Sequence, residues 1–171
     1  MPLYDKVFHI DDFHGQGGTL TNGCFDIIHK GHIKLFEFCH SVSKSNVNNY
    51  SCPVVVGVNT DSSIKELKGN NRPIMDQDNR VAILGAIRWI DYVVLFDTKS
   101  VLPVIEKIKP QILVKGGNYS KKACAVADRI VGEDFVESYG GKVMTAPYVD
   151  GISTTEIIRR IMVPIPEKTD W

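Results

Sequence analysis

No run of about 18 apolar residues occurs in this 171-residue chain, so no segment can supply a membrane-crossing helix. Charge of one sign is also missing: 20 Lys and Arg balance 20 Asp and Glu, which leaves no broad basic field for nucleic acid or anionic lipid. Cysteine is sparse. Cys24, Cys39, Cys52 and Cys124 show neither Cys-x-x-Cys spacing nor histidines at zinc-finger distances, so the sequence predicts no metal held by the protein. Met1-Pro2-Leu3-Tyr4-Asp5-Lys6 lacks an apolar signal core, and scattered thiols then fit a reducing cytoplasm. There is no internal repeat. What is present, 43% hydrophobic and 23% charged residues, is ordinary for a globular protein, and the length suits one domain over 1–171 that buries about two-thirds of its unfolded surface.

The apolar runs alternate between strand and helix lengths. Gly18-Thr19-Leu20-Thr21, Pro53-Val54-Val55-Val56-Gly57-Val58, Asp91-Tyr92-Val93-Val94-Leu95-Phe96 and Gln111-Ile112-Leu113-Val114 are short and mostly β-branched, as for strands covered on both faces. Lys142-Val143-Met144-Thr145 is a weaker instance. Helical patterns fill 30–43, 61–67, 78–89, 101–108 and 154–162. Strands separated by helices predict right-handed crossovers, a parallel sheet with helices on both faces, and a ligand crevice beyond the carboxyl ends of the strands. The core is expected over about 17–162. The tail 163–171, with Pro164 and Pro166, cannot continue the last helix.

The segment Asn22-Gly23-Cys24-Phe25-Asp26-Ile27-Ile28-His29-Lys30-Gly31-His32 closes the first strand pattern and opens the first helix. Histidines three apart at a helix start share a face, where free N–H groups and the positive end of the dipole favour an anion. Two imidazoles there suit a phosphate that gains charge during a reaction, and Gly31 lets the backbone come close to a ligand. Read without a ligand, one histidine caps the loop and the other packs on it. Gly151-Ile152-Ser153-Thr154-Thr155-Glu156 offers a second helix start: Ser153 and Glu156 have capping-box spacing, and the same N–H groups suit a phosphate. Lys68 and Arg72 bracket a loop that can carry cations over an anion. Arg80 stands near a helix start, where a cation opposes the dipole unless an anion accompanies it. In Lys115-Gly116-Gly117-Asn118-Tyr119 the glycines permit close backbone approach and the tyrosine can stack on a base or sugar.

The histidine segment resembles the signature of the cytidylyltransferase-like nucleotidylyltransferases. Three further blocks, Lys68-Gly69-Asn70-Asn71-Arg72-Pro73-Ile74, Leu113-Val114-Lys115-Gly116-Gly117-Asn118-Tyr119 and Gly151-Ile152-Ser153-Thr154-Thr155, look like the branch containing the adenylyltransferase of ADP-heptose synthesis. That branch occurs free-standing or as the C-terminal half of a bifunctional kinase/adenylyltransferase. The resemblance spans roughly 19–161. It implies a Rossmann-like α/β fold and attack by a sugar 1-phosphate, D-glycero-D-manno-heptose 1-phosphate in that branch, on the α-phosphorus of ATP with loss of pyrophosphate. It implies catalysis by His29, His32 and Lys68. Asn22, Gly23, Cys24, Phe25, Gly31, Arg80, Arg88, Lys115, Gly116, Gly151, Ser153, Thr154 and Thr155 are expected around the nucleotide and its phosphates. Asp26, Arg72, Asn118 and Tyr119 are expected toward the second substrate. Mg2+ would arrive on the triphosphate, and relatives pair as homodimers. The direct displacement needs no cysteine nucleophile, so Cys24 is read as small-residue packing. Arg88-Trp89-Ile90-Asp91 instead resembles a segment of cytidylyltransferases, which keeps open CTP with glycerol 3-phosphate or a similar alcohol phosphate. It is also consistent with plain packing of Trp89 and Ile90.

Overall fold

The computed structural model describes residues 3–44, 52–117 and 130–163. After a 3-10 turn at Leu3–Lys6 come β1 (Val7–His9), β2 (Thr19–Gly23), α1 (Lys30–Lys44), β3 (Val54–Asn59), α2 (Asp61–Lys68) and α3 (Gln77–Gly85). They are followed by β4 (Tyr92–Phe96), α4 (Leu102–Ile108), β5 (Ile112–Gly116), α5 (Glu133–Ser138), β6 (Lys142–Ala146) and α6 (Thr154–Met162). The strands form one sheet in the order β1-β4-β3-β2-β5-β6, parallel throughout. This is the Rossmann-like arrangement expected from the sequence.

Alternation along the strands divides the core. Val54, Val56 and Val58 of β3 pack with Leu35, Phe36 and Cys39 of α1 and with Val81 and Leu84 of α3. Val55, Leu20 and Leu113 face the other way, onto Val104, Ile105 and Ile108 of α4 and Val136 of α5. Both faces of the central strands are therefore dry, which is why their sequences read as unbroken apolar runs.

From β2 the chain winds outward through β3 and β4, then crosses back to place β5 and β6 on the opposite side of β2. The strand order reverses between β2 and β5. Their pairing is recorded only at Thr19–Ile112 and Leu20–Leu113, whereas β2 and β3 pair through Gly23–Val58. The carboxyl ends of β2 and β5 thus part at the switch point, where a parallel sheet opens a crevice.

Three expectations are corrected. The sheet begins before residue 17: β1 pairs with β4 at the edge, and three residues are too few to show a periodicity. The short helix α5 was also absent from the sequence reading, since its six residues bury only Val136. The helix expected over 78–89 spans Gln77–Gly85. Beyond it the backbone tightens into three-residue bonds, Ile87 N–H to Leu84 O and Ile90 N–H to Ile87 O (both 3.1 Å), which bury Ile90 before β4 starts. The tail from 164 onward lies outside the described residues.

Candidate active site

A cavity of about 540 Å³ sits over the carboxyl ends of β2, β3, β5 and β6. Its floor is the signature loop, 22–32. His29 immediately precedes α1 and His32 lies on its first turn, their rings stacked 3.8 Å apart at 24°. The Gly31 N–H donates to His29 Nδ1 at 3.1 Å, so the ring proton resides on Nε2 and that nitrogen is left as a donor. A Cβ on Gly31 would stand 3.0 Å from the His29 ring, so a larger residue here would press on that ring. Burial lowers the His29 pKa from 6.5. For His32, burial first, then the charges of His29 and Lys68, push it down to about 4 against the opposing effect of the Ile27 backbone. Both imidazoles are neutral donors at pH 7.

Phe25 was expected against the nucleotide, but its ring is buried and meets His32 edge-on at 5.3 Å and Phe36 at 5.2 Å. It holds this position with φ at +48°, a conformation that non-glycine residues seldom adopt. Its side chain fixes the His32 ring, and any contact with nucleotide is at the rim.

Two cations flank the histidines. Lys68 ends α2, lines the cavity and acts on His32 through its charge. Lys115, near the end of β5, reaches across the parted strands and donates from Nζ to Asn22 Oδ1. Burial pushes its pKa down to about 8. Beside it Gly116 packs so close to Leu35 that a Cβ would stand 3.1 Å from that side chain. At the opposite wall Ser153 caps α6, accepting from the Glu156 N–H at 3.1 Å. The reciprocal half of the expected capping box is absent. The Glu156 carboxylate turns to Arg159 and Arg160 instead, at 2.8 Å each, so no carboxylate from Glu156 covers the helix start. Ser153 and Thr154 line the cavity. Gly151, with φ at +77°, makes the turn into the helix, and Thr155 is exposed outside the lining.

Three other expected site residues have partners within the fold. Arg80 is fully buried. Its guanidinium donates to the carbonyls of Met75 (3.1 Å), Cys24 and Asn59 (2.8 Å each) and to Asp61 Oδ1 (2.7 Å), so it ties loops together. Arg88 lies just before β4, at the amino end of the sheet and away from the crevice, and stacks on Trp89 at 4.7 Å. Asp26 borders the cavity at 2% exposure, but its carboxylate already accepts from the Ile74 and Met75 N–H groups and from Arg72 Nε. Burial opposes its charge, yet the Met75, Ile74 and Arg72 donors together hold its pKa below the ordinary value. Arg72 lines the cavity beside this pair, whereas Asn118 and Tyr119 lie outside the described residues.

The sequence reading passed over Asn59, Lys99, Ala146, Pro147 and Tyr148, all of which line the cavity. Asn59 and Ala146 end β3 and β6, and Lys99 follows β4. The available signal was their place at the carboxyl ends of strands, since none belongs to a conspicuous motif.

Against known proteins, residues 20–160 match the cytidylyltransferase-like family model. The chain belongs to the cytidylyltransferase-like family. Membership makes it a nucleotidyltransferase. It is 41% identical over 156 residues to the bifunctional protein HldE of Geobacter metallireducens, covering 91% of this chain and 29% of that protein. To HldE of Alcanivorax borkumensis it is 44% identical over 154 residues, again covering 89% and 29%. The chain therefore spans about three-tenths of these relatives. Among solved structures, the lipopolysaccharide core biosynthesis protein of Thermoplasma volcanium superposes with a TM-score of 0.59 at 22% identity, over 80% of this chain and all of that one. That likeness speaks for the fold alone.

Proposed function

We propose that this chain joins ATP to a sugar 1-phosphate, with D-glycero-D-manno-heptose 1-phosphate as the substrate suggested by its HldE relatives, giving an ADP-sugar and pyrophosphate. The observation that carries the reading is a pair of stacked, neutral histidines between two cations in a crevice at the sheet's switch point. Such a constellation supplies donors and positive charge. An ionised oxygen of the sugar phosphate attacks the α-phosphorus, the bond from that phosphorus to the bridging β-oxygen breaks, and pyrophosphate leaves with the electron pair. A phosphate monoester is already largely ionised at pH 7, so the displacement needs no general base. It needs alignment and neutralisation of charge on the α- and β-phosphates. His29 Nε2–H, the His32 ring, Lys68 and Lys115 are suited to that, and the start of α6 is suited to hold phosphate or ribose oxygens.

Mg2+ belongs to this reading as part of the MgATP substrate. Among the described residues no group of three or more His, Cys, Asp or Glu could cage a metal, and the cavity's one carboxylate, Asp26, is engaged by Arg72, Ile74 and Met75. The fit is to an ion held chiefly by phosphate oxygens and water.

ATP is favoured over CTP for two reasons. The Lys115-Gly116-Gly117 block, which matches the adenylyltransferase branch, lines the crevice, and Arg88, carried by the segment that points toward CTP, precedes β4 at the other end of the sheet. With equal ATP and CTP and a heptose 1-phosphate acceptor, the ADP-linked product should predominate by about tenfold when both products are separated by chromatography. An excess of CDP-linked product would support the alternative, a cytidylyltransferase acting on glycerol 3-phosphate or a similar alcohol phosphate.

Self-association is the other part of the reading. Ile161, Met162 and Val163 stand 73%, 77% and 52% exposed at the end of α6, an apolar edge suited to a second copy. Sedimentation should give a homodimer at micromolar concentration, and Met162→Lys should shift it toward monomer. A monomer at every concentration removes this claim.

A further inference from the structure

The signature loop and the loop joining α2 to α3 are sewn together by two buried charged side chains. From the signature side, the Asp26 carboxylate accepts from Arg72 Nε at 2.7 Å, Ile74 N–H at 2.9 Å and Met75 N–H at 2.8 Å. From the helix side, Arg80 donates to Cys24 O and Met75 O. Both anchors are almost completely buried, at 2% and 0% exposure. The segment they hold starts at Lys68 and is otherwise exposed from Lys68 through Asn71. It has one turn bond of its own, Arg72 N–H to Gly69 O at 3.1 Å. A buried carboxylate with three donors is strongly directional, whereas an exposed loop of this length has many conformations to lose.

We propose that Asp26 is a positioning residue: it docks the 69–76 loop onto the histidine loop and so sets Lys68 and Arg72 over the reacting phosphates. The carboxylate touches no substrate. Its effect on turnover passes through the two cations, with Arg72 held by Nε so that its terminal nitrogens remain outside that bond. Sequence alone reads Asp26 as one more ligand in the motif; its burial and its three donors assign it to the loop.

The kinetic arm of the test rests on the proposed nucleotidyl transfer, and the exchange arm does not. In the substrate-free protein, Asp26→Asn should speed hydrogen exchange of the Ile74 and Met75 amides by at least tenfold while Val55 and Val56 in β3 keep wild-type protection. In pyrophosphate release from ATP and sugar phosphate, Asp26→Asn should lower kcat/KM by about thirtyfold. Added to Lys68→Ala/Arg72→Ala, it should lower kcat/KM by no more than about threefold further, because the groups it positions are gone. Unchanged exchange at Ile74 and Met75 would overturn the docking role, and a full thirtyfold further loss in the triple variant would overturn action through the cations. If Asp26→Asn does not fold, Arg72→Gln tests the same joint from its less buried side. It should quicken exchange at Ile74 and Met75 several-fold, and wild-type protection there would sink the proposal. Should the wild-type protein release no pyrophosphate from any nucleotide, the proposed reaction fails while the exchange result still decides the docking role.

Discussion

Replacing His29 or His32 by alanine is expected to lower kcat by a hundredfold or more, with the fold retained. Each ring presents a donor that is already oriented before substrate arrives: His29 through the Gly31 N–H on Nδ1, and His32 through the edge of Phe25 and the stacked His29 ring. A preorganised donor aimed at developing charge in a water-poor site contributes on the order of 3 kcal/mol to transition-state stabilisation, which is about two powers of ten in rate. Loss of His32 also removes its edge-on contact with Phe25, an aromatic contact worth about 1 kcal/mol, so His32→Ala should melt a few degrees lower than His29→Ala. Single-turnover kinetics with matched melting curves check both halves. A folded double variant with near-normal turnover would remove these residues from the catalytic centre.

The same rings give the protein an acid-sensitive window. Burial lowers both pKa values, that of His32 to about 4. Between the ordinary 6.5 and about 4 the unfolded chain therefore binds a proton that the folded chain refuses. The associated stability is fully present above 6.5 and is lost as pH falls through that window, and His32→Ala should flatten this part of the stability profile.

Much of this was legible because it rests on local chemistry. A continuous β-branched run such as Val54-Val55-Val56, too short for a helix of its own, reads as a strand covered on both faces, and from strands alternating with helices a parallel sheet and its crevice follow. The histidines, Lys68, Lys115 and Ser153 reach one cavity, and their residue type and place in the strand–loop–helix order both speak for an anion. Less legible were charged side chains whose surroundings depend on burial. Arg80 and Asp26 look in sequence like an available cation and an available anion. In the fold each is closed off by backbone partners 50 or so residues away, such as Cys24 O for Arg80 and Ile74 N–H for Asp26, and long-range burial leaves no local periodicity. Arg88 differs, because its place was deducible: a residue entering a parallel strand lies at the amino end, opposite the crevice. The three residues of β1 make a strand only because β4 offers an edge, which is a tertiary effect on a segment too short to speak for itself.

Lys115→Met is expected to lower kcat/KM by about a hundredfold and to abolish an alkaline limb in the pH profile. The ammonium sits where β2 and β5 part, is hydrogen-bonded to Asn22 Oδ1, and is buried enough to bring its pKa down to about 8. A cation partly stripped of water interacts strongly with a triphosphate and needs little rearrangement to do so. Methionine keeps the length and apolar stem while deleting the charge, which separates electrostatic loss from a packing defect. The sign of the pH effect follows from the lysine: it is charged below about 8 and neutral above. In the free enzyme kcat/KM should therefore fall as pH rises through 8. Bound triphosphate favours the ammonium, so the corresponding limb in kcat should move to higher pH. Lys115→Arg, whose guanidinium stays charged across this range, should lose the limb at 8 while keeping more activity than methionine. An unaltered alkaline limb in Lys115→Met would assign that titration to another group, and near-normal kcat/KM in that variant would show that the cation at the switch point does not bear on the reacting phosphates.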